Sequence, residues 1–239
     1  MGLMNTLVAV VLLVAGLVVF AVLAPLYLLL LIVFPAPRLH RFVRLFCRLF
    51  LWATGHRLQI EGEFPPPDQG PYLYLFNHES LFDVFMLGAA IPHYFTSVAA
   101  AKQFHWFFWG YLIRRYGAIP IRRRELDKAI QSLNQMESVI RRGTSCIIAP
   151  EGTRTLTGKI GPFKKGPFHV ALHTGVTLVP VGIWGAFEAK SKLDWKIKPG
   201  RLILRVGKPL RYEEYRQETV ESLQARIRRN IIQLSGREG

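Results

Sequence analysis

The chain has 239 residues, enough for one globular domain with an attached segment but too few for two full domains. Lys and Arg number 31 against 16 Asp and Glu, and the resulting formal net charge of +15 indicates an anionic partner. Two cysteines exclude a disulfide-stabilised scaffold. The sequence has no zinc-ligand spacing, basic heptad region or RNA-binding aromatic signature, so we expect neither a metal nor a nucleic acid.

The first segment is apolar. Residues 1–37 contain no Asp, Glu, Lys or Arg. Residues 7–34 would form a helix of roughly 42 Å, longer than the roughly 30 Å of a bilayer's hydrocarbon core. A signal peptide would have a basic start and a shorter apolar run, so we predict that residues 1–37 are a retained membrane anchor. Pro25 divides the run, which leaves two alternatives: a single kinked span, or a hairpin that enters one leaflet.

An arginine-rich segment follows the apolar run. Arg38, Arg41, Arg44 and Arg48 fall on one side of a helical wheel, and large apolar residues tend toward the other. This pattern predicts an interfacial amphipathic helix over residues 38–56, with its arginines on anionic membrane lipids. An amphipathic helix packed on the domain core is the alternative. The basic residues also predict that the following domain lies on the cytoplasmic face of the membrane.

The remainder, residues 57–239, alternates short strand-like and helix-like pieces. Strands are predicted at residues 57–61, 72–76, 95–98, 118–121, 145–149, 176–181 and 202–206. Helices are predicted at residues 81–90, 106–116, 125–141, 167–173 and 218–234. Such alternation predicts a single α/β domain with a mixed, largely parallel sheet flanked by helices.

A histidine and an aspartate follow the strand predicted at residues 72–76. Ligand sites gather where the strands of an α/β sheet end. On a straight helix His78 and Asp83 would be roughly 140° apart, so they meet only if His78 lies in a loop and Asp83 in the first helical turn. Ser80 would then be the N-cap. In this arrangement the carboxylate orients a histidine base, although a capping box and an ordinary surface histidine explain the same residues structurally.

Residues 150–154 occupy the equivalent position after another predicted strand. Gly152 permits close approach of the backbone, and Arg154 is suited to bind a phosphate through two parallel hydrogen bonds. A turn with a solvent-exposed ion pair is the structural alternative. Two further blocks, residues 117–123 and 179–182, also combine a strand with glycine, proline or arginine.

Together the four blocks resemble the glycerophospholipid acyltransferase family, in particular 1-acylglycerol-3-phosphate acyltransferases. The family's Asn-His-x-x-x-x-Asp motif is matched by residues 77–83, and its Glu-Gly-Thr-Arg motif by residues 151–154. The arginine of a further motif falls on Arg123, and the proline of the last motif falls on Pro180. Arg122 departs from the pattern, because many members carry an acidic residue there.

The resemblance implies an acyl transfer without an acyl-enzyme. The donor would be acyl-CoA or acyl-carrier protein, and the acceptor the free hydroxyl of 1-acyl-glycerol-3-phosphate, with no cofactor beyond the co-substrate. His78 would be the general base and Asp83 its partner. Lys102 and the backbone near Gly152 would stabilise the oxyanion. The acceptor would be held by Arg123, Glu151, Gly152, Thr153 and Arg154.

Other functions compete with this one. Another lysolipid, such as lysophosphatidylethanolamine or a lyso-aminolipid, is an alternative acceptor. A catalytically silent membrane-binding module on the same fold is a further alternative. A serine hydrolase using Ser80 is disfavoured, because the sequence contains no Gly-x-Ser-x-Gly elbow.

Overall fold

The computed structural model describes residues 2–122 and 125–239, with the backbone alone at Gly2 and Leu126. The strands are β1 (His56–Glu61), β2 (Tyr72–Phe76), β3 (Phe95–Ala100), β4 (Ile119–Ile121), β5 (Ser145–Ile148), β6 (Thr177–Trp184) and β7 (Gly200–Val206). The helices are α1 (Gly2–Val33), α2 (His40–Ala53), α3 (Phe82–Ala90), α4 (Phe107–Tyr116), α5 (Leu126–Arg141), α6 (Gly166–Thr174), α7 (Ala186–Ala189) and α8 (Val220–Ser235).

The strands form one sheet in the order β1-β7-β6-β2-β5-β3-β4. Every neighbouring pair is parallel except β6 and β7, which are antiparallel. The predicted α/β class with a mixed, largely parallel sheet is therefore confirmed, and each predicted strand is present. Strands β3, β6 and β7 are each two residues longer than predicted, and the strand that extends furthest past its predicted end is β6. Its last three residues, from Gly182 to Trp184, pair with β7. Because β7 is a separate segment of the chain, local sequence does not indicate this pairing.

Alternating side chains of β2 supply the two hydrophobic cores. Tyr72, Tyr74 and Phe76 face a core built with α2 and α3. Leu73 and Leu75 face the opposite core, built with α5, α6 and α8. This alternation is the period of two expected for a strand, and burial on both faces explains why the run is continuously apolar.

The N-terminal helices form an antiparallel pair. Tyr27 of α1 stacks on Phe42 of α2 at a centroid distance of 6.1 Å, and Phe20 lies 5.7 Å from Phe46. The chain reverses at residues 34–39, whereas Pro25 lies inside one continuous helix. The bend that the hairpin alternative placed at Pro25 does not occur, because a proline removes one amide hydrogen bond while those on either side remain. Among the described residues, α1 has the length and composition of a membrane span.

Helix α2 is amphipathic, as predicted, and one side of it belongs to the core. Cys47 packs on α3 so closely that a Cβ on Gly88 would lie 2.7 Å from its Sγ. Arg48 Nε donates a hydrogen bond to the carbonyl of Ala89 at 3.3 Å. The other side exposes Leu45 and Trp52. The core-helix alternative thus holds for one side, and lipid contact by the exposed side stays a prediction.

Candidate active site

Two loops meet where the central strands end. Strands β2 and β5 are parallel neighbours, with Leu75 paired to Ile148. The segments that follow them, residues 77–83 and 150–154, therefore leave the sheet side by side. Thr155 N donates to the carbonyl of His78 at 2.8 Å, which links the two loops directly.

His78 and Asp83 form a hydrogen-bonded pair. The distance from His78 Nδ1 to Asp83 Oδ2 is 2.6 Å. Asp83 is fully buried, and the same oxygen accepts the backbone N–H groups of Glu79 at 2.8 Å and Ser80 at 3.0 Å. A carboxylate oxygen accepts hydrogen bonds, so the proton of a neutral imidazole is placed on Nδ1, which faces Oδ2. Nε2 accepts no hydrogen bond from the described residues, and the ring lines a cavity.

The predicted N-cap role of Ser80 is wrong. Helix α3 begins at Phe82 after Leu81, and no side chain caps it. Ser80 Oγ instead donates to the carbonyl of Lys190 at 2.6 Å, and the residue is fully buried. Only half of the capping box forms: the Ser80 N–H donates to the Asp83 carboxylate. The helix starts later because Asp83 bonds the loop backbone.

Asn77 extends the sheet with its side chain. Its amide nitrogen donates to the carbonyl of Ile183 at 2.9 Å, and its oxygen accepts the Ile183 N–H at 2.7 Å. The buried side-chain amide therefore makes the pair of hydrogen bonds to β6 that the backbone of a further β2 residue would make. This fixes the point at which the chain turns toward His78, a role that sequence reasoning did not find.

Glu151 binds backbone amides. Oε1 accepts the N–H of His78 at 2.7 Å, and Oε2 accepts the N–H of Gly161 at 2.9 Å. Burial raises the pKa of Glu151, while these two bonds act in the opposite direction. Both carboxylate oxygens are engaged within the protein, so the side chain positions the His78 loop, where the sequence had predicted acceptor binding.

The two predicted oxyanion donors are not placed for that task. Gly152 lines the cavity with φ +75°, but its own N–H donates to the carbonyl of Ala149 at 3.0 Å. Lys102 is exposed on a short 3₁₀ helix, Ala101–His105, and the cavity is lined by its neighbour Gln103 instead. Lys102 lies outside because the 3₁₀ turn directs consecutive side chains to different sides.

Arg154 is a cation without a counterion. It lines the cavity and is partly buried. Within the described ranges its guanidinium forms no hydrogen bond or ion pair. Burial lowers its pKa, and the Asp83 carboxylate acts in the opposite direction. Thr153 is exposed beside it in the cavity wall, and the predicted Arg123 lies outside the described residues.

A carboxylate beside His78 is clamped from the end of the chain. Glu79 is buried, and both its oxygens accept from Arg237, at 2.7 Å from Nε and 3.1 Å from Nη2. Arg237 also pairs with Glu188 at 2.6 Å. Burial raises the pKa of Glu79 to about 7, and the Arg237 guanidinium opposes that rise. Sequence reasoning missed this clamp. Arg237 is 158 residues away in the sequence, so no local pattern indicates the pair.

The cavity at the site has a volume of about 820 Å³. It reaches from His78 to Glu137 of α5 and His173 of α6. Its wall is mostly apolar and includes Phe76, Val84, Val98, Trp109, Ile121, Ile130, Leu133, Ile148 and Val170. Of the aromatic run at residues 104–111, Trp109 lines this cavity while Phe107 is 99% exposed. A long apolar space beside a polar pair suits a ligand with a hydrocarbon chain.

Comparison with known proteins supports the same class. The sequence model of the Acyltransferase family matches residues 57–184. A 1-acyl-sn-glycerol-3-phosphate acyltransferase from Cocos nucifera is 32% identical over 72% of this chain and 56% of its own length. The chloroplastic enzyme LPAT1 from Arabidopsis thaliana is 31% identical over 56% of this chain and 39% of its own length. The chain therefore spans about half the length of the curated relatives it matches.

The fold also has a solved counterpart. The crystal structure of the 1-acyl-sn-glycerophosphate acyltransferase PlsC from Thermotoga maritima aligns with a TM-score of 0.84 at 20% identity. The alignment covers 98% of this chain and 96% of that one, so the similarity includes the N-terminal helices. From the motifs, the site geometry and the family match over residues 57–184, the chain belongs to the Acyltransferase family.

Proposed function

We propose that the protein transfers a fatty acyl group from a thioester to the free hydroxyl of 1-acyl-glycerol-3-phosphate, giving phosphatidic acid. The observation that carries this proposal is the His78–Asp83 pair, with its 2.6 Å hydrogen bond and an Nε2 on the cavity wall that no described residue hydrogen-bonds. The names of the relatives from Cocos nucifera and Arabidopsis thaliana support the choice of acceptor.

The chemistry is a direct transfer. Nε2 of His78 takes the proton of the acceptor hydroxyl as its oxygen attacks the thioester carbonyl carbon. Asp83 stabilises the resulting imidazolium through Nδ1–H. The tetrahedral intermediate then expels the thiolate, which receives the proton from His78. Every step uses groups of the chain and its two substrates, and acyl-CoA and acyl-carrier protein both supply the thioester.

A serine nucleophile is disfavoured by the surroundings of Ser80. Its hydroxyl proton is already donated to a backbone carbonyl, that of Lys190. An activated serine would donate that proton to the histidine. His78 therefore acts on the acceptor, and no acyl-enzyme forms.

Arg154 supplies the recognition of the acceptor's phosphate. A partly buried guanidinium that pairs with no described carboxylate is stabilised by an anionic ligand, and its planar donors match phosphate oxygens. The apolar wall of the cavity holds an acyl chain. Helix α1 anchors the protein in the membrane where the acceptor resides, with the catalytic domain on the cytoplasmic face and with anionic lipids as further partners.

The test is a substrate panel. The full chain in detergent is given acyl-CoA or acyl-carrier protein with 1-acyl-glycerol-3-phosphate, lysophosphatidylethanolamine or 1-monoacylglycerol, and products are identified by mass. We expect phosphatidic acid at the highest kcat/KM and none with His78→Ala. Product from lysophosphatidylethanolamine alone would mean that this lipid is the acceptor in place of 1-acyl-glycerol-3-phosphate. No product from any pair would favour the silent membrane-binding module.

A further inference from the structure

A basic loop lies next to the segment that carries His78. Residues 190–196, the 190–196 loop, follow α7 and contain three lysines and one aspartate. Ser80 Oγ donates to the carbonyl of Lys190, which attaches the loop to the His78 segment.

The loop brings two more cations to Arg154. Lys192 Nζ lies 3.3 Å from Oγ1 of Thr153, and Thr153 directly precedes Arg154. Lys190 is partly buried, and its pKa is lowered first by burial and then by the positive charge of Arg154. Its ammonium donates to the carbonyl of Ser191 at 2.9 Å and to that of Asp194. Two further lysines thus lie beside the part of the cavity wall that Thr153 and Arg154 form.

Asp83 acts on Arg154 and Asp194 acts on Lys190 through charge alone, and among the described residues neither carboxylate forms an ion pair with these cations. The aspartate of the loop, Asp194, pairs with Lys198 at 3.1 Å, outside the 190–196 loop. In the part of the chain that the structure describes, neither Lys192 nor Arg154 forms an ion pair. Like charges held close together repel, and an anion placed among them removes that cost.

We infer that Lys192 is a second cationic ligand of the acceptor's phosphate, on the other side of Thr153 from Arg154, with Lys190 adding positive charge behind them. The ligand class is a phosphate monoester, whose charge of about −1.5 to −2 at neutral pH matches two to three cations. Arg154 would grip two oxygens, and the flexible Lys192 ammonium would act as a point charge. This inference rests on the proposed function and adds a residue that sets acceptor specificity.

The position of the loop fits a lipid-borne phosphate. Leu193 and Trp195 are exposed at 81% and 51%. Pro199, three residues beyond the loop, lies near the N-terminal helices, because a Cβ added to Gly55 after α2 would lie 2.8 Å from Pro199 and 3.1 Å from Leu12 of α1. Exposed apolar side chains with neighbouring lysines are typical of a surface in contact with lipid.

The experiment compares Lys192→Ala with Lys208→Ala, which removes the same charge. Lys208 is exposed beyond the end of β7, at the edge of the sheet where β6 begins, away from His78. Binding of 1-acyl-glycerol-3-phosphate and of uncharged 1-monoacylglycerol is measured by calorimetry in detergent, without a thioester. Turnover of both acceptors is measured separately. Inorganic phosphate serves as competitor to separate headgroup recognition from chain binding.

We expect Lys192→Ala to weaken binding of the phosphorylated acceptor about tenfold and to leave binding of 1-monoacylglycerol unchanged. The control Lys208→Ala should change the binding of neither ligand. Lys192→Arg should restore most of the affinity. Equal effects on the two ligands, or an effect no larger than that of Lys208→Ala, would overturn the inference. If binding depends on Lys192 but no variant turns the acceptor over, the inference stands and the proposed function fails.

Discussion

The carboxylate of Glu151 accepts the backbone N–H of His78 at 2.7 Å, so one motif of the family holds the main chain of another. Its second oxygen accepts the N–H of Gly161 at 2.9 Å, which fixes the loop between β5 and α6 as well. The buried Glu151 thereby sets the position of the histidine from the backbone side, while Asp83 sets the ring.

Replacement of Glu151 with Gln should lower kcat and leave the KM of the acceptor nearly unchanged. The amide oxygen is still able to accept one N–H, but the NH₂ group faces the other N–H as a second donor. We expect kcat to fall at least about tenfold, because a small displacement of a base costs much of its effect. Steady-state kinetics with varied acceptor check this. A large rise in KM at constant kcat would return Glu151 to the acceptor-binding role.

Replacement of Arg154 with Lys should weaken use of the phosphorylated acceptor. An ammonium does not reproduce two parallel hydrogen bonds, and a charged hydrogen bond contributes about 1.5–3 kcal/mol. We expect kcat/KM for 1-acyl-glycerol-3-phosphate to fall about tenfold to a hundredfold, with little change for 1-monoacylglycerol. Equal losses on both acceptors would mean that Arg154 maintains the structure of the loop.

Removal of the Arg237 side chain should destabilise the loop that carries His78. Arg237→Ala leaves the buried Glu79 without its cation, and breaking a buried pair costs about 3 kcal/mol. For a chain of this size that corresponds to a fall of about 6–12 °C in Tm. Arg229→Ala, on the exposed side of α8, is the matched control and should change little. A Tm for Arg237→Ala equal to that of the control would contradict the clamp.

Loss of the Ser80 hydroxyl should affect stability more than activity. Ser80→Ala removes a buried hydrogen bond to the carbonyl of Lys190 and costs about 1 kcal/mol of unfolding free energy. We expect most of the kcat to remain, since the hydroxyl takes no part in the proposed transfer. Denaturant unfolding and steady-state rates measure the two effects. Complete loss of activity in a folded variant would revive the serine-nucleophile alternative.

Sequence periodicity predicted every strand that the structure describes and the α-helices other than the four-residue α7, but not all of their limits. Strand β2 was recognisable because its apolar run is bounded by Pro71 and Asn77. The last residues of β6 were missed because β7, which pairs with them, is formed by residues 200–206. The turn of the N-terminal pair was missed because Pro25 is the more prominent signal, although the chain reverses near Pro35.

The candidate site was likewise predictable from the sequence only in part. His78 and Asp83 were found because five residues separate them and a single loop brings them together. The partners of Asn77 and Glu79 are 106 and 158 residues away, and only the folded chain makes them neighbours. Glu151 and Gly152 line the cavity, and their hydrogen bonds within the protein were not predicted, because a motif does not state which of its groups are already bonded.

The central claim is that His78, oriented by Asp83, is the base of a direct acyl transfer. Its most direct test is kcat/KM for the formation of phosphatidic acid by wild-type protein, His78→Ala, Asp83→Asn and the double variant, each shown to be folded. Asparagine should favour the wrong tautomer of His78, because its amide is able to donate to Nδ1. We predict losses of at least about 10³-fold for each single variant and no further loss in the double variant, because the two residues act as one unit. A folded His78→Ala variant that retains more than about a tenth of the activity, or independent losses that multiply, would contradict the account.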